Sequence, residues 1–212
     1  MPFHEFWVSV RSTMKVLAAP RLVADVPRLD EEAIETQLRK GDWWLTPAAV
    51  AGFAESDLEF LPKEEQTRLA DFVRQFTEVA RTVNPKAPAP KDAVDRGLPL
   101  FKGIIQVLEF DRFADPEAFR LGKLIEREIR EERPDELAEL RFNTGIDHSG
   151  DSALWIWAFL SAEASDDDET FLKTAQALGA LLDPVARRVA PERWPYLSFR
   201  PVAEFTEPVE AS

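Results

Sequence analysis

Apolar positions along the chain fall first into helical and only later into strand periodicity. After Leu61-Pro62, residues Leu69, Phe72, Val73, Phe76, Val79, Ala80 and Val83 recur at i, i+3, i+4, i+7, i+10, i+11 and i+14, one continuous stripe on a helix. The opposite face carries Arg68, Asp71, Arg74, Glu78 and Arg81, a mixture that water solvates without a partner. Upstream, Asp30-Glu31-Glu32 opens a short helix bearing Ile34 and Leu38, with Gly41 placed to stop it. Thr46-Pro47 has the form of a cap followed by proline at the first position of another helix. Downstream, Phe101, Ile104, Ile105 and Leu108 predict a helix by length, although the run would also suit a strand. Asp115-Pro116-Glu117 repeats the cap-plus-proline signal ahead of Leu121, Leu124, Ile125 and Ile129.

The period changes after Pro134. Leu140, Phe142, Thr144 and Ile146 alternate with Arg141, Asn143, Gly145 and Asp147, as in a strand with one solvated face. From Ser152 to Leu160 both alternating sets are apolar, Leu154, Ile156 and Leu160 against Trp155, Trp157 and Phe159, so this segment is expected inside a sheet. The five residues Asp147 to Asp151 between them are short enough for an antiparallel hairpin. Asp166-Asp167-Asp168-Glu169 then caps a helix carrying Phe171, Leu172, Ala175, Leu178, Leu181 and Leu182, which Asp183-Pro184 is expected to restart or kink. Tyr196 to Arg200, after Trp194-Pro195, forms a last short strand ahead of an acidic tail.

The expected class is therefore α+β. A helical N-terminal part spans residues 1–90, and residues 91–212 hold a helix-strand-strand-helix-strand unit whose small, mainly antiparallel sheet is covered by helices. The division falls at Asn84-Pro85-Lys86-Ala87-Pro88-Ala89-Pro90, a proline-rich stretch with no apolar residue larger than alanine, and the two parts could also form one continuous domain.

Charge narrows the range of functions. The 212 residues include 39 Asp/Glu and 26 Lys/Arg, a net charge of −13. Residues 101–212 carry 23 acids and 13 bases, a net of −10, so the excess lies with the predicted sheet. Direct nucleic-acid binding is disfavoured, since a phosphate backbone is gripped by surplus cations. A chain without cysteine has no disulfide, thiolate nucleophile or thiolate-held metal. With only His4 and His148, a three-histidine zinc centre cannot form within one chain, and any metal would need oxygen ligands. Glu5, Arg11 and Lys15 interrupt what would have to be the apolar core of a signal peptide. The longest apolar run, Ala153 to Leu160, is far short of the roughly 20 residues a membrane helix needs. A cytoplasmic protein with no membrane partner is expected, and no cofactor is indicated.

Candidate chemistry concentrates in the hairpin. Gly145 to Ser152 matches G-x-x-x-x-G-K-[ST] except that Asp151 stands where the lysine must neutralise phosphates, which removes a nucleotide reading. Asp147, His148 and Asp151 could instead hold a hard cation, or pair a base with an orienting carboxylate. The alternative is a polar turn in which the Asp side chains bond their own loop and Gly150 supplies positive φ. Ser149 lacks the flanking glycines of a nucleophile elbow, and Asp166 to Asp168 lack the ligand spacing of a calcium loop. Of the six tryptophans, Trp43-Trp44 cannot both point inward from an extended segment, so one is a candidate contact for a partner.

These residues favour a non-catalytic protein-protein interaction or regulatory module whose negative field steers a protein partner with a basic surface. The competing reading is a metal-assisted hydrolase using Asp147, His148 and Asp151, with Arg141 or Arg200 as an anion clamp. An acidic mimic of nucleic acid is a third reading, carried by charge alone.

Overall fold

The computed structural model describes residues 31–41, 43, 55–84 and 87–203. It divides into two compact units, one ending at Asp111 and one beginning at Arg112. The described helices of the first are α1 (Glu31–Lys40), α2 (Glu55–Leu58), α3 (Lys63–Ala80) and α4 (Lys91–Val107). The second contains α5 (Pro116–Glu128), β1 (Leu137–Ile146), β2 (Ser152–Leu160), a 3₁₀ turn (Glu163–Ser165), α6 (Asp168–Val189) and β3 (Trp194–Pro201). The class is α+β, as the periodicities require.

In the first unit the α3 stripe turns Leu69, Phe76 and Val79 into the core, and α4 packs along it. The proline-rich stretch thus joins two helices of one unit, and the compact units divide after Asp111 rather than at residue 90. Apolar burial by Ala93, Val94, Ile104 and Ile105 accounts for this, since α4 covers that face against its neighbours. α1 ends at Gly41, which takes φ 96°. Trp43 stacks on Phe76 with ring centroids 5.4 Å apart, and its indole N–H donates to the Leu38 carbonyl at 2.7 Å. Gly97 makes room for that indole, because a Cβ there would stand 2.3 Å from Trp43 Cζ3. The Thr46-Pro47 helix start, like Trp44, lies outside the described residues.

The second unit is built on a three-stranded sheet of order β1-β2-β3, in which β1 and β2 are antiparallel and β2 and β3 parallel. The sheet is therefore mixed, with one pair of each kind. α6 supplies the crossover that a parallel pair needs. β2 is central and buried on both faces, with Leu154, Ile156 and Leu160 as inaccessible as Trp157 and Phe159. α5 packs on β1 and α6 on β3, and the two helices also meet each other. Gly122 on α5 lets Phe113 and Phe142 approach the helix, its would-be Cβ standing 2.4 Å from Phe113 Cε1.

Two expectations for this unit change. β1 does not keep one solvated face: Arg141 is only 4% exposed, whereas Ile146 is 63% exposed. The register explains the first, since Arg141 lies opposite Trp157 and its guanidinium packs over the Phe159 ring. Pro184, expected to restart or kink its helix, sits within the continuous 22-residue α6. Pro184 is exposed, as is Ala180, whose carbonyl loses the N–H it would otherwise receive, so water can serve that oxygen. Buried Leu182, Val185 and Ala186 hold the following turn in place.

Both sheet edges are partly closed to further pairing. Phe142 on β1 exchanges backbone bonds with Arg112 and Ala114, and Arg112 Nε donates to the Leu140 carbonyl at 3.2 Å. On β3 the Val202 N–H donates to Leu160, so even-numbered residues face β2 and odd-numbered ones face outward. Outward positions include Pro195 and Pro201, which lack an N–H, leaving only Leu197 and Phe199 to offer one.

Candidate functional site

Asp147 leaves β1 at the start of the hairpin turn, where its carboxylate becomes the hub of the loop. Oδ1 accepts from the Ser149 N–H at 2.9 Å, the Ser149 hydroxyl at 2.7 Å and the Asp151 N–H at 3.0 Å. Oδ2 accepts from the Tyr196 hydroxyl of β3 at 2.8 Å. Gly150 takes φ 93°, which glycine adopts without a Cβ penalty. The Ser149 hydroxyl, followed by that of Tyr196, holds the Asp147 carboxyl well below the usual carboxylate range. In return the hydrogen bond to Asp147 pushes the Tyr196 phenol up, with desolvation adding to the effect. Trp155 stacks on Tyr196 with centroids 5.9 Å apart and fixes the phenol beneath the turn.

This arrangement builds a turn. The Asp147 oxygens are occupied by loop and strand donors, and His148 stands exposed beside them. Among the described residues no three His, Asp or Glu side chains gather as metal ligands, so Asp147, His148 and Asp151 do not converge in the way the hydrolase reading requires. The reason is directional: His148 is exposed, while Asp147 is turned toward the backbone of its own loop and Tyr196.

The arginines also separate. Arg141 is buried, its Nε donating to Glu139 Oε1 at 2.6 Å, which takes it out of reach as an anion clamp. Arg193, which the sequence did not single out, grips Glu117 with both Nε (3.0 Å) and Nη2 (2.6 Å). Its Nη1 donates to the carbonyls of Gly145 and Ala153, locking the start of α5 to the hairpin strands. Arg200 is half-buried and carries no hydrogen bond or ion pair among the described residues. Trp43 is buried and belongs to the core.

The end of the sheet opposite the hairpin is different. Leu137 pairs with Leu160, and the Ser161 N–H donates to the Glu136 carbonyl at 2.8 Å, so the segment before β1 and the segment after β2 lie together. Two acidic stretches far apart in sequence are thereby joined. Glu131, Glu132, Asp135, Glu136, Asp166 and Asp168 are exposed there, and none has a hydrogen-bonded or ion-paired side chain among the described residues. Asp167 is committed to α6, accepting from the N–H groups of Glu169 and Thr170 at 2.9 Å each. Its bonds to Thr170 lead in holding its pKa down.

At this end Ser165, Asp168, Phe171, Phe199, Arg200 and Pro201 line a concavity of about 420 Å³. The Ser165 hydroxyl has under 1 Å² of accessible surface and no hydrogen-bond partner. No signal in the sequence joins these six residues, because the β2–β3 crossover brings them together. Against known protein families, curated proteins and solved structures, the chain shows no match.

Proposed function

We propose that the protein is a non-catalytic interaction or regulatory module that binds a protein partner through that partner's basic surface. The observation that carries this reading is the uneven use of charge in the second unit. Arg112, Arg141, Lys173, Arg187, Arg188 and Arg193 are engaged with carboxylates inside the unit, whereas six exposed carboxylates at one end of the sheet form no ion pair and outnumber the arginines of the same segments, Arg130, Arg133 and Arg200. A fixed negative end of this kind accelerates encounter with a basic surface and does so in a salt-dependent way.

The hairpin cluster that would serve hydrolysis is occupied in holding its own turn, which further supports it. A cytoplasmic setting, with neither nucleic acid nor membrane as partner, belongs to the same reading. It accords with the absence of cysteine and with there being no helix, among the described residues, long and apolar enough to cross a membrane. Affinity capture with the full chain, run at low and at high ionic strength, tests the reading. Basic proteins retained at low salt and released at high salt are expected. Capture of nothing, or of partners indifferent to salt, counts against it.

A further inference from the structure

The concavity between the first turn of α6 and the end of β3 combines groups that select a ligand by exclusion. Phe171, Phe199 and Pro201 supply the apolar part of its lining, and Ser165, Asp168 and Arg200 the polar part. Asp168 stands in it without a cation and Arg200 without an anion, although both line the same space. A simple anion would meet the Asp168 carboxylate, and a bare metal ion would meet the Arg200 guanidinium. A ligand that satisfies both must offer an acceptor, a donor and apolar bulk within a few ångströms of one another.

A polypeptide segment meets these requirements. Its carbonyl groups suit Arg200, and one apolar side chain suits the two phenylalanines. Exposed Asp166, two residues before Asp168, and the exposed carboxylates of the segment tied to Ser161 through Glu136 favour cations on its flanks. Pro195 and Pro201 leave the β3 edge only two outward N–H groups, so recognition falls to side chains in the concavity rather than to an added strand. We infer that this concavity is a docking site for a linear peptide whose apolar anchor is flanked by Lys or Arg. The inference rests on the basic-partner reading above and assigns it a place.

Two synthetic probes test it on the full chain by amide NMR titration at low salt. One is an octapeptide with a central Leu-Phe pair between two runs of three lysines, and the other is the same peptide with Gly-Gly at the centre. The anchored peptide is expected to move the amides of Ser165, Asp168, Phe171, Phe199 and Arg200, and to bind about tenfold more tightly than the glycine peptide. Asp166→Asn with Asp168→Asn should weaken it by a similar factor, while unchanged amide shifts of that variant away from the concavity check that its fold persists. Equal binding of the two peptides, with shifts spread over the acidic surface, overturns the docking site and leaves the basic-partner reading standing. Absence of binding by either peptide, alongside salt-sensitive capture of a basic protein, has the same meaning. Binding seen only after deletion of the residues beyond Ala203 would assign the concavity to the chain's own C-terminal segment, which also overturns the proposal.

Discussion

The two units of this protein use charged side chains in opposite ways. In the helical unit the ion pairs of Arg39, Arg68, Arg74, Lys91 and Arg96 all join residues three or four positions apart on one helix. Each is exposed, and each contributes a few tenths of a kcal/mol at most. In the α+β unit Arg112 reaches Glu126, Arg188 reaches Glu128, Arg193 reaches Glu117, and Tyr196 reaches Asp147. Those bonds span 14 to 76 positions and connect helix to helix, loop to helix, and strand to turn. These exposed pairs of the first unit are local to one helix and add little to its apolar stripes. The other adds polar crosslinks between elements, so its fold is specified by bonds that single-element propensity does not contain.

The comparison is broken most sharply at Arg193. Arg193→Met leaves Glu117 unpaired and cuts the tie from α5 to the Gly145 and Ala153 carbonyls, and should cost about 3 kcal/mol in denaturant unfolding. A cost below 1 kcal/mol would show that the long crosslinks are ornamental. Next comes a pair of matched overpacking changes. Gly97→Ala drives a Cβ into Trp43 in the first unit, and Gly122→Ala drives one into Phe113 and Phe142 in the second, each expected to cost about 2 kcal/mol. Equal costs would show that the units differ in polar bonding and not in how tightly their cores are packed.

Tyr196→Phe removes one hydroxyl from the Asp147 hub and should lower the unfolding midpoint by less than either glycine change. The pH dependence follows from the same carboxyl. Its pKa is lowered by folding, so its contribution is complete above the unfolded value near 4. It is then lost as the pH falls through the folded value. Stability measured at pH 7 and pH 3 should thus fall less for Asp147→Asn than for the parent chain. The smallest effect is expected of Arg74→Ala, which breaks exposed pairs to Asp71 and Glu78 and should change stability by under about 0.5 kcal/mol.

These differences also explain what the sequence disclosed. Helices α3, α5 and α6 were legible because an apolar stripe and a cap are local. Asp115 does accept from the Ala118 N–H, and Asp167 from those of Glu169 and Thr170, where the cap signals place them. β2 was legible as an interior strand because both its faces are apolar. The direction of β3 was not, since a parallel partner depends on where α6 delivers the chain. Arg141 looked solvated by alternation and proved buried, because periodicity reports a face without saying whether that face is covered. At the hairpin, composition supplied the residues and only geometry supplied the direction of Asp147. The concavity at the other end had no linear signature: Ser165 and Asp168 are separated from Phe199 and Arg200 by the length of α6.

The central claim is that the hairpin is scaffold and the opposite, acidic end of the sheet is where the molecule binds. Binding of the lysine-flanked Leu-Phe peptide should be compared between two variants of the full chain, His148→Ala with Asp151→Asn, and Asp166→Asn with Asp168→Asn. The account predicts parental affinity for the first and about a tenfold loss for the second. The reverse order, with binding lost at the hairpin and kept at the acidic end, would contradict it.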